Sequence, residues 1–252
     1  MTRVLVVEPS VTDPVGPLGT WLTGAGAELV VVRPQAGDAV PADLRGVDAL
    51  VVLGGEMDAE DDEGFPYLPA VRSLLAQGVR EQVPTLAVCL GAQLLALATG
   101  GATRPMPLGP EAGFSLVAKR DAAAADPLLA ELPFTPDVVQ FHSDEVHVLP
   151  AGSTVLAATE HCPHQAFRVG TAAWALQFHV ETDAEVLRAW MDAAPAVAAL
   201  VPRSQFEPGA LEARHAELAE VWAPVAARFV ALAAGGGPGG GGLVGRPLLE
   251  QG

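Results

Sequence analysis

The chain has 252 residues, half of them hydrophobic, with a formal net charge of −16 and a pI of about 4.6. That is enough apolar material for a sizeable core, while the Lys and Arg residues are too few to neutralise a phosphate backbone, which argues against nucleic acid as a partner. No apolar run approaches the roughly 18 residues of a membrane span. Met1–Val4 leads into a strand pattern without a signal-peptide layout, so a cytoplasmic protein with two free thiols, Cys89 and Cys162, is expected.

In chain order, "RVLVVE" (3–8) is a short continuous apolar run, the pattern of a strand covered on both faces. A Pro/Gly-rich loop follows. "LGTWLTGAGA" then predicts a short helix ending near Gly24 or Gly26. "ELVVVRP" (28–34) and "DALVVLGG" (48–55) predict a second and third strand. "YLPAVRSLLAQGVR" (67–80) has helical spacing at Val71, Leu74, Leu75 and Val79. "VPTLAVC" (83–89) predicts a fourth strand and "GAQLLALATG" a helix. This alternation is that of an α/β protein with a mostly parallel central sheet flanked by helices.

The middle of the chain changes character. "GFSLVAKR", "DVVQFH", "STVLAATE", "HQAFRVG" and "AAWALQFHVE" predict short strands separated by turns, either antiparallel additions to the sheet or a late return to it. "DAEVLRAWMDAA" (183–194) predicts a helix with Asp183 at its start, where a carboxylate suits the helix dipole. A last helix is predicted over about 209–233, with Leu211, Leu218, Trp222, Val225, Phe229 and Leu232 in one stripe and Pro224 expected to bend it. The run "GGGPGGGG" after it predicts disorder, and the final "LVGRPLLEQG" a loose tail.

The most informative stretch is "PTLAVCLGAQLLA" (84–96). A strand that stops at a nucleophile and turns at once into a helix is a nucleophile elbow, with the helix N-terminus favouring negative charge at the side chain. Gly91 is expected to permit the tight turn. A thiol nucleophile needs a base, and "WALQFHVE" supplies one: residues two apart on a strand share a face, so His179 and Glu181 point the same way, the ring to take a proton and the carboxylate to orient it. Acyl transfer also needs oxyanion donors. The backbone N–H groups of Gly54 and Gly55, past the third strand, and of Leu90, directly after Cys89, are placed to supply them.

With "GGEM", "CLGAQLLA", "FHSDEV" and "QFHVE" in that order, residues 1–195 resemble a class I (triad-type) glutamine amidotransferase. The resemblance implies a flavodoxin-like three-layer amidotransferase fold with added antiparallel strands. It implies Cys89 as nucleophile, His179 as base, Glu181 as third member of the triad, and Gly55 and Leu90 as oxyanion donors. It also implies substrate contacts at Gly54, Gln93 and the segment His142-Ser143-Asp144. Such enzymes hydrolyse the side-chain amide of glutamine through a γ-glutamyl thioester, with no cofactor, and most deliver the ammonia to a synthase domain or partner protein. Ala87 stands where many members have Gly, and Val180 lies at a variable position between the His and the Glu. After residue 195 only a helical extension (196–234) and a Gly-rich tail (235–252) are predicted, which resembles stand-alone members akin to the amidotransferase part of GMP synthase.

Other features weigh less. "EMDAEDDEGFPYL" (56–68) reads as a solvated acidic loop, and "HCPHQAFR" (161–168) fits no zinc spacing, so no metal site is expected. Glu111 matches a glutamate common in the family, structural or close to substrate. Two alternatives stay open: a γ-glutamyl peptide hydrolase with the same triad, and a non-catalytic regulatory or binding subunit.

Overall fold

The structure is a computed structural model and describes residues 1–235; the calls for the Gly-rich run beyond Gly235 and for the final segment lie outside the described residues. The elements are β1 (Thr2–Val7), α1 (Gly16–Gly24), β2 (Ala27–Val32), β3 (Ala49–Val52), α2 (Leu68–Glu81), β4 (Thr85–Val88), α3 (Leu90–Ala98), β5 (Ala102–Pro105), β6 (Glu111–Leu116), β7 (Ala118–Lys119), β8 (Asp137–His142), β9 (Asp144–Val148), β10 (Ser153–Ala158), β11 (Ala166–Val169), β12 (Ala173–Leu176), α4 (Ala184–Ala193), α5 (Pro195–Ala198) and α6 (Ala210–Ala233).

Eight strands form the central sheet in the order β2-β1-β3-β4-β12-β11-β10-β7. The first five are mutually parallel, and β11, β10 and β7 continue the sheet by antiparallel pairing. Two small antiparallel pairs, β5 with β9 and β6 with β8, stand apart from it. Because side chains alternate along a strand, β1 sends Val4 and Val6 to one face and Leu5 and Val7 to the other. The first face packs on α1, α4 and α6 through Leu18, Leu22, Leu187, Trp222 and Phe229. The second packs on α2 and α3 through Leu68, Val71, Leu74, Leu75 and Leu94. The result is the three-layer α/β architecture read from the alternating pattern.

The stripe on α6 is buried within the same core as β1, with Trp222, Phe229, Leu218 and Leu211 each at most 2% exposed. The helix runs through Pro224 as one element. Strands β5 and β9 are not among the expected elements, because β9, within and after "FHSDEV", is rich in polar residues and its partner β5 ends in a proline.

Two expectations are corrected. The strands at "DVVQFH" and the start of "GFSLVAKR" do not join the central sheet but pair with each other, as β8 and β6. The strand predicted through Glu181 stops at Leu176. The ladder between β12 and β4 ends at the pair Leu176–Val88, where β4 turns away into α3. Beyond that point β12 has lost its parallel neighbour, and the chain bends. His179 instead exchanges two backbone hydrogen bonds with Val139 on β8, at 2.8 and 3.1 Å.

Candidate active site

The carboxyl ends of β1, β3, β4 and β12 converge on one cleft, the usual place for a ligand in an open α/β sheet. It encloses ≈ 740 Å³ and is lined by Gly55, Cys89, Gln93, His142, Ser143, Asp144 and His179 among others.

Cys89 sits between β4 and α3 with φ 51° and ψ −110°, one of two non-glycine residues at positive φ among the described residues. Its N–H donates to Leu176 O at 2.7 Å, which ties the corner to β12. A non-glycine residue in this region persists only where the surroundings over-determine it. Gly91 serves a different purpose from the one expected: a Cβ there would meet Val52 O at 2.3 Å, so glycine allows α3 to press against β3 rather than the chain to turn. Gly91 N–H donates to Leu53 O across that contact.

His179 is 1% exposed, and its Nδ1 pairs with Glu181 Oε1 at 2.7 Å. The second carboxylate oxygen, Oε2, accepts from Val180 N–H at 2.9 Å. The shared face inferred from strand spacing is produced here by a bend, with the carboxylate folding back on both ring and backbone. Burial works against the charged ring, but the Glu181 carboxylate and then Cys89 outweigh it and hold the His179 pKa well above its usual value. Among the described residues Nε2 has no hydrogen-bond partner within bonding geometry. Cys89 is close enough to the ring to help hold its proton. A buried, unpartnered ring nitrogen is costly unless something enters the cleft to use it.

Gly54 and Gly55 follow β3, and among the described residues no internal acceptor takes their N–H groups. Leu90 opens α3, so its N–H belongs to the first turn, which a helix leaves without internal acceptors. Gly55 and Leu90 are neighbours: a Cβ on Gly55 would come within 2.8 Å of Leu90 Cδ2. The loop carrying them is anchored through Glu56, which accepts from Ser10 Oγ at 2.5 Å and Gln35 Nε2 at 3.2 Å.

Gln93 is buried beneath the cleft and makes long contacts to Asp144 O (3.5 Å) and Gln177 Oε1 (3.4 Å). The His142 ring is enclosed by Asp144 O, Gln140 Oε1 and, at 3.2 Å, Glu111 Oε2. Glu111 also accepts from Gln165 and Thr159, so it supports the wall of the cleft through His142.

Three residues here escaped the sequence reading. Gln177 donates to Cys89 Sγ at 3.9 Å; its place in "QFHVE" was the available signal. Trp190 of α4 lies edge-on to His179, centroids 4.6 Å apart, and its Nε1 donates to Thr12 O at 2.9 Å. Asp13 is 6% exposed and sits beside both Gly54 and His179: a Cβ on Gly54 would meet Asp13 Oδ1 at 2.5 Å and His179 Cε1 at 3.2 Å. Burial pushes Asp13 up to about 6, against the pull of His179 and the Thr12 hydroxyl. Neither Asp13 nor Trp190 belongs to a pattern that marks it in advance.

Asp13 carries a stability consequence. A carboxyl whose folded pKa is raised binds its proton more tightly in the native state, so stability falls as pH rises from the unfolded value near 3.8 through about 6. Asp13→Asn is therefore expected to stabilise the protein at pH 7 by up to roughly 3 kcal/mol and to have no such effect at pH 4. Urea midpoints of the two proteins across that range check it. An equal gain at both pH values would contradict the assignment.

The family model for class-I glutamine amidotransferases matches residues 21–189. A glutamine amidotransferase-like protein of Salmonella typhimurium, YfeJ, is 31% identical over 170 residues, 66% of this chain and 70% of that protein. GMP synthase (glutamine-hydrolyzing) of Porphyromonas gingivalis is 34% identical over 143 residues, 56% of this chain but only 26% of the synthase. Among solved structures, a glutamine amidotransferase from Thermotoga maritima superposes with a TM-score of 0.78, covering 92% of this chain and 97% of that one; at 24% identity this shows the shared fold. With a family model spanning well over half its length, the chain belongs to the class-I glutamine amidotransferase family.

Proposed function

We propose that the protein hydrolyses the side-chain amide of glutamine through a γ-glutamyl thioester on Cys89 and releases ammonia to an acceptor or a partner synthase. The observation that carries this reading is the state of His179: one ring nitrogen is held by Glu181 at 2.7 Å, the other is free, and the ring lines the same cleft as Cys89. In the proposed cycle Cys89 gives its proton to His179 and attacks the amide carbon. Glu181 keeps the ring oriented and stabilises its charge. The N–H groups of Gly55 and Leu90 receive the oxyanion, and a misplaced donor there costs on the order of 10²–10³ in rate. The ring then protonates the departing amine, and water releases glutamate from the thioester. Gln93, His142, Ser143 and Asp144 line the part of the cleft where the amino-acid end of the substrate would lie, and Gly54, read from the sequence as a substrate contact, sits beside Asp13 and His179 instead. No cofactor enters this scheme, and two cysteines without a disulfide suit the cytoplasm.

The relation to GMP synthase supports a synthase partner as the destination of the ammonia. Cleft volume favours a second reading, a γ-glutamyl amide with a larger leaving group, because ≈ 740 Å³ exceeds what one amino acid fills. The test is acid quenching during turnover of L-glutamine, followed by peptide mapping. A γ-glutamyl adduct on Cys89, together with ammonia release, is expected. Ammonia release with no adduct on any cysteine would contradict the thioester.

A further inference from the structure

The cleft extends beyond what ammonia needs. If the glutamyl group occupies the side of Cys89 facing Gln93 and His142, the departing amine must lie against His179, because that ring gives it a proton. This placement rests on the glutamyl-transfer reading above. The groups flanking His179 are then the groups that touch the leaving amine.

On that side stands Trp190, pinned by its Nε1 to Thr12 O and edge-on to His179. From Trp190 the wall continues along α4 and α5 through Val186, Ala189 and Val197, with Val11, 60% exposed, also on the lining. Ammonia would leave this apolar surface uncovered. An alkyl chain would cover it, at about 0.8 kcal/mol for each methylene taken out of water.

Charge narrows the chemistry further. Asp13, Glu56, Asp144, Asp183 and Glu185 line the cleft, and among the described residues no Lys or Arg does. Glu56 is tied to Ser10 and Gln35, and Asp183 Oδ1 caps α4. Asp13 is different: it is more than nine-tenths buried, it lines the cleft, and among the described residues its Oδ1 accepts no hydrogen bond. A leaving group ending in a carboxylate, as in a γ-glutamyl dipeptide, would enter this field with only the His179 ring, already paired with Glu181, as a positive group. A leaving group ending in an ammonium suits it.

We propose that the leaving-group side of the cleft is a subsite for an aliphatic diamine, so that the preferred substrate is the mono-γ-glutamyl amide of a short diamine. The alkyl stem lies on Trp190, Val186 and Ala189. Asp13 accepts the N–H of the reacting nitrogen, and Asp183 with Glu185 faces the distal ammonium. The chemistry balances without another reagent. The C–S bond forms at Cys89 as the C–N bond breaks, and the proton on His179 passes to the leaving nitrogen. Water then attacks the thioester, the C–S bond breaks, glutamate leaves, and a proton returns to the sulfur.

The test uses the full chain and four probes: L-glutamine, γ-glutamyl-butylamide, mono-γ-glutamyl-diaminobutane and γ-glutamylglycine. The diamine conjugate is expected to exceed glutamine in kcat/KM by at least about tenfold, the scale of a filled apolar pocket, with butylamide between them and γ-glutamylglycine lowest. Ala189 is exposed on α4, so Ala189→Arg preserves the fold. It is expected to cut the ratio of diamine conjugate to glutamine by about tenfold, through lost apolar fit and added like charge. Asp13→Asn is expected to lower kcat/KM for the diamine conjugate and for glutamine alike, because both present an N–H on the reacting nitrogen. Glutamine or γ-glutamylglycine as the best substrate, or a ratio indifferent to Ala189→Arg, overturns the subsite and leaves the glutamyl reaction standing. Inertness of all four probes, with no adduct on Cys89, overturns both.

Discussion

Cys89→Ala is expected to abolish turnover of glutamine, lowering kcat/KM by about 10³-fold or more, the scale of losing a nucleophile whose oxyanion donors remain. The fold should survive, since the substitution removes one sulfur atom and relieves nothing that α3 depends on. Cys162→Ala is the matched control. Cys162 is fully buried and burial pushes its thiol up to about 12, so it has neither the access nor the charge to attack. Steady-state ammonia release, with circular dichroism to confirm folding, distinguishes the two. An inactive Cys162→Ala beside an active Cys89→Ala would overturn the assignment.

Trp222→Ala is expected to be strongly destabilising, costing about 3–5 kcal/mol. Trp222 is 2% exposed, packs on Phe178 with centroids 5.4 Å apart, and donates from Nε1 to Asp137 O at 3.0 Å. Its loss leaves a cavity and strips the half-buried Asp137 carbonyl of its partner. The effect should also reach the chemistry. Phe178 precedes His179, and Asp137 begins the strand whose Val139 pairs with His179. Activity per folded molecule is therefore expected to fall together with the denaturation midpoint. A shift in the midpoint with unchanged kcat/KM would show that α6 stabilises the sheet without positioning His179.

The legible parts of the molecule were those written contiguously. Four of the five parallel strands announced themselves as short apolar runs, and the elbow at Cys89 lay in one thirteen-residue stretch; the fifth, β12, was grouped with the later short strands, and its parallel pairing with β4 depends on a neighbour far away in the chain. The pairing of His179 with Glu181 was legible for an incomplete reason: the residues are two apart, but a bend rather than strand alternation brings them together. The bend itself could not be read, because it follows from where a neighbouring strand ends. Asp13 was invisible for a similar reason. It lies in a Pro/Gly-rich loop, and only the return of α4, with Trp190 bonded to Thr12 O, gives that loop a site to face. Gly91 was legible as a necessary glycine but not as a necessary contact, since the carbonyl it spares belongs to Val52, far away in the chain.

Cys89 and His179 follow strands that lie side by side, joined by the ladder that ends at Val88 and Leu176. Adjacent strands are held about 4.8 Å apart by their backbone hydrogen bonds. The spacing of the two groups is thus gauged by the peptide backbone, which has the same dimensions whatever side chains it carries: the ladder fixes the two strand ends, and the paired hydrogen bonds to Val139 fix His179 beyond the bend. The long excursion from Thr99 to Ala172 contributes that one fixed point to the gauge. Mutation can rebuild what surrounds a substrate elsewhere along it while the distance between thiol and imidazole is inherited through backbone alone.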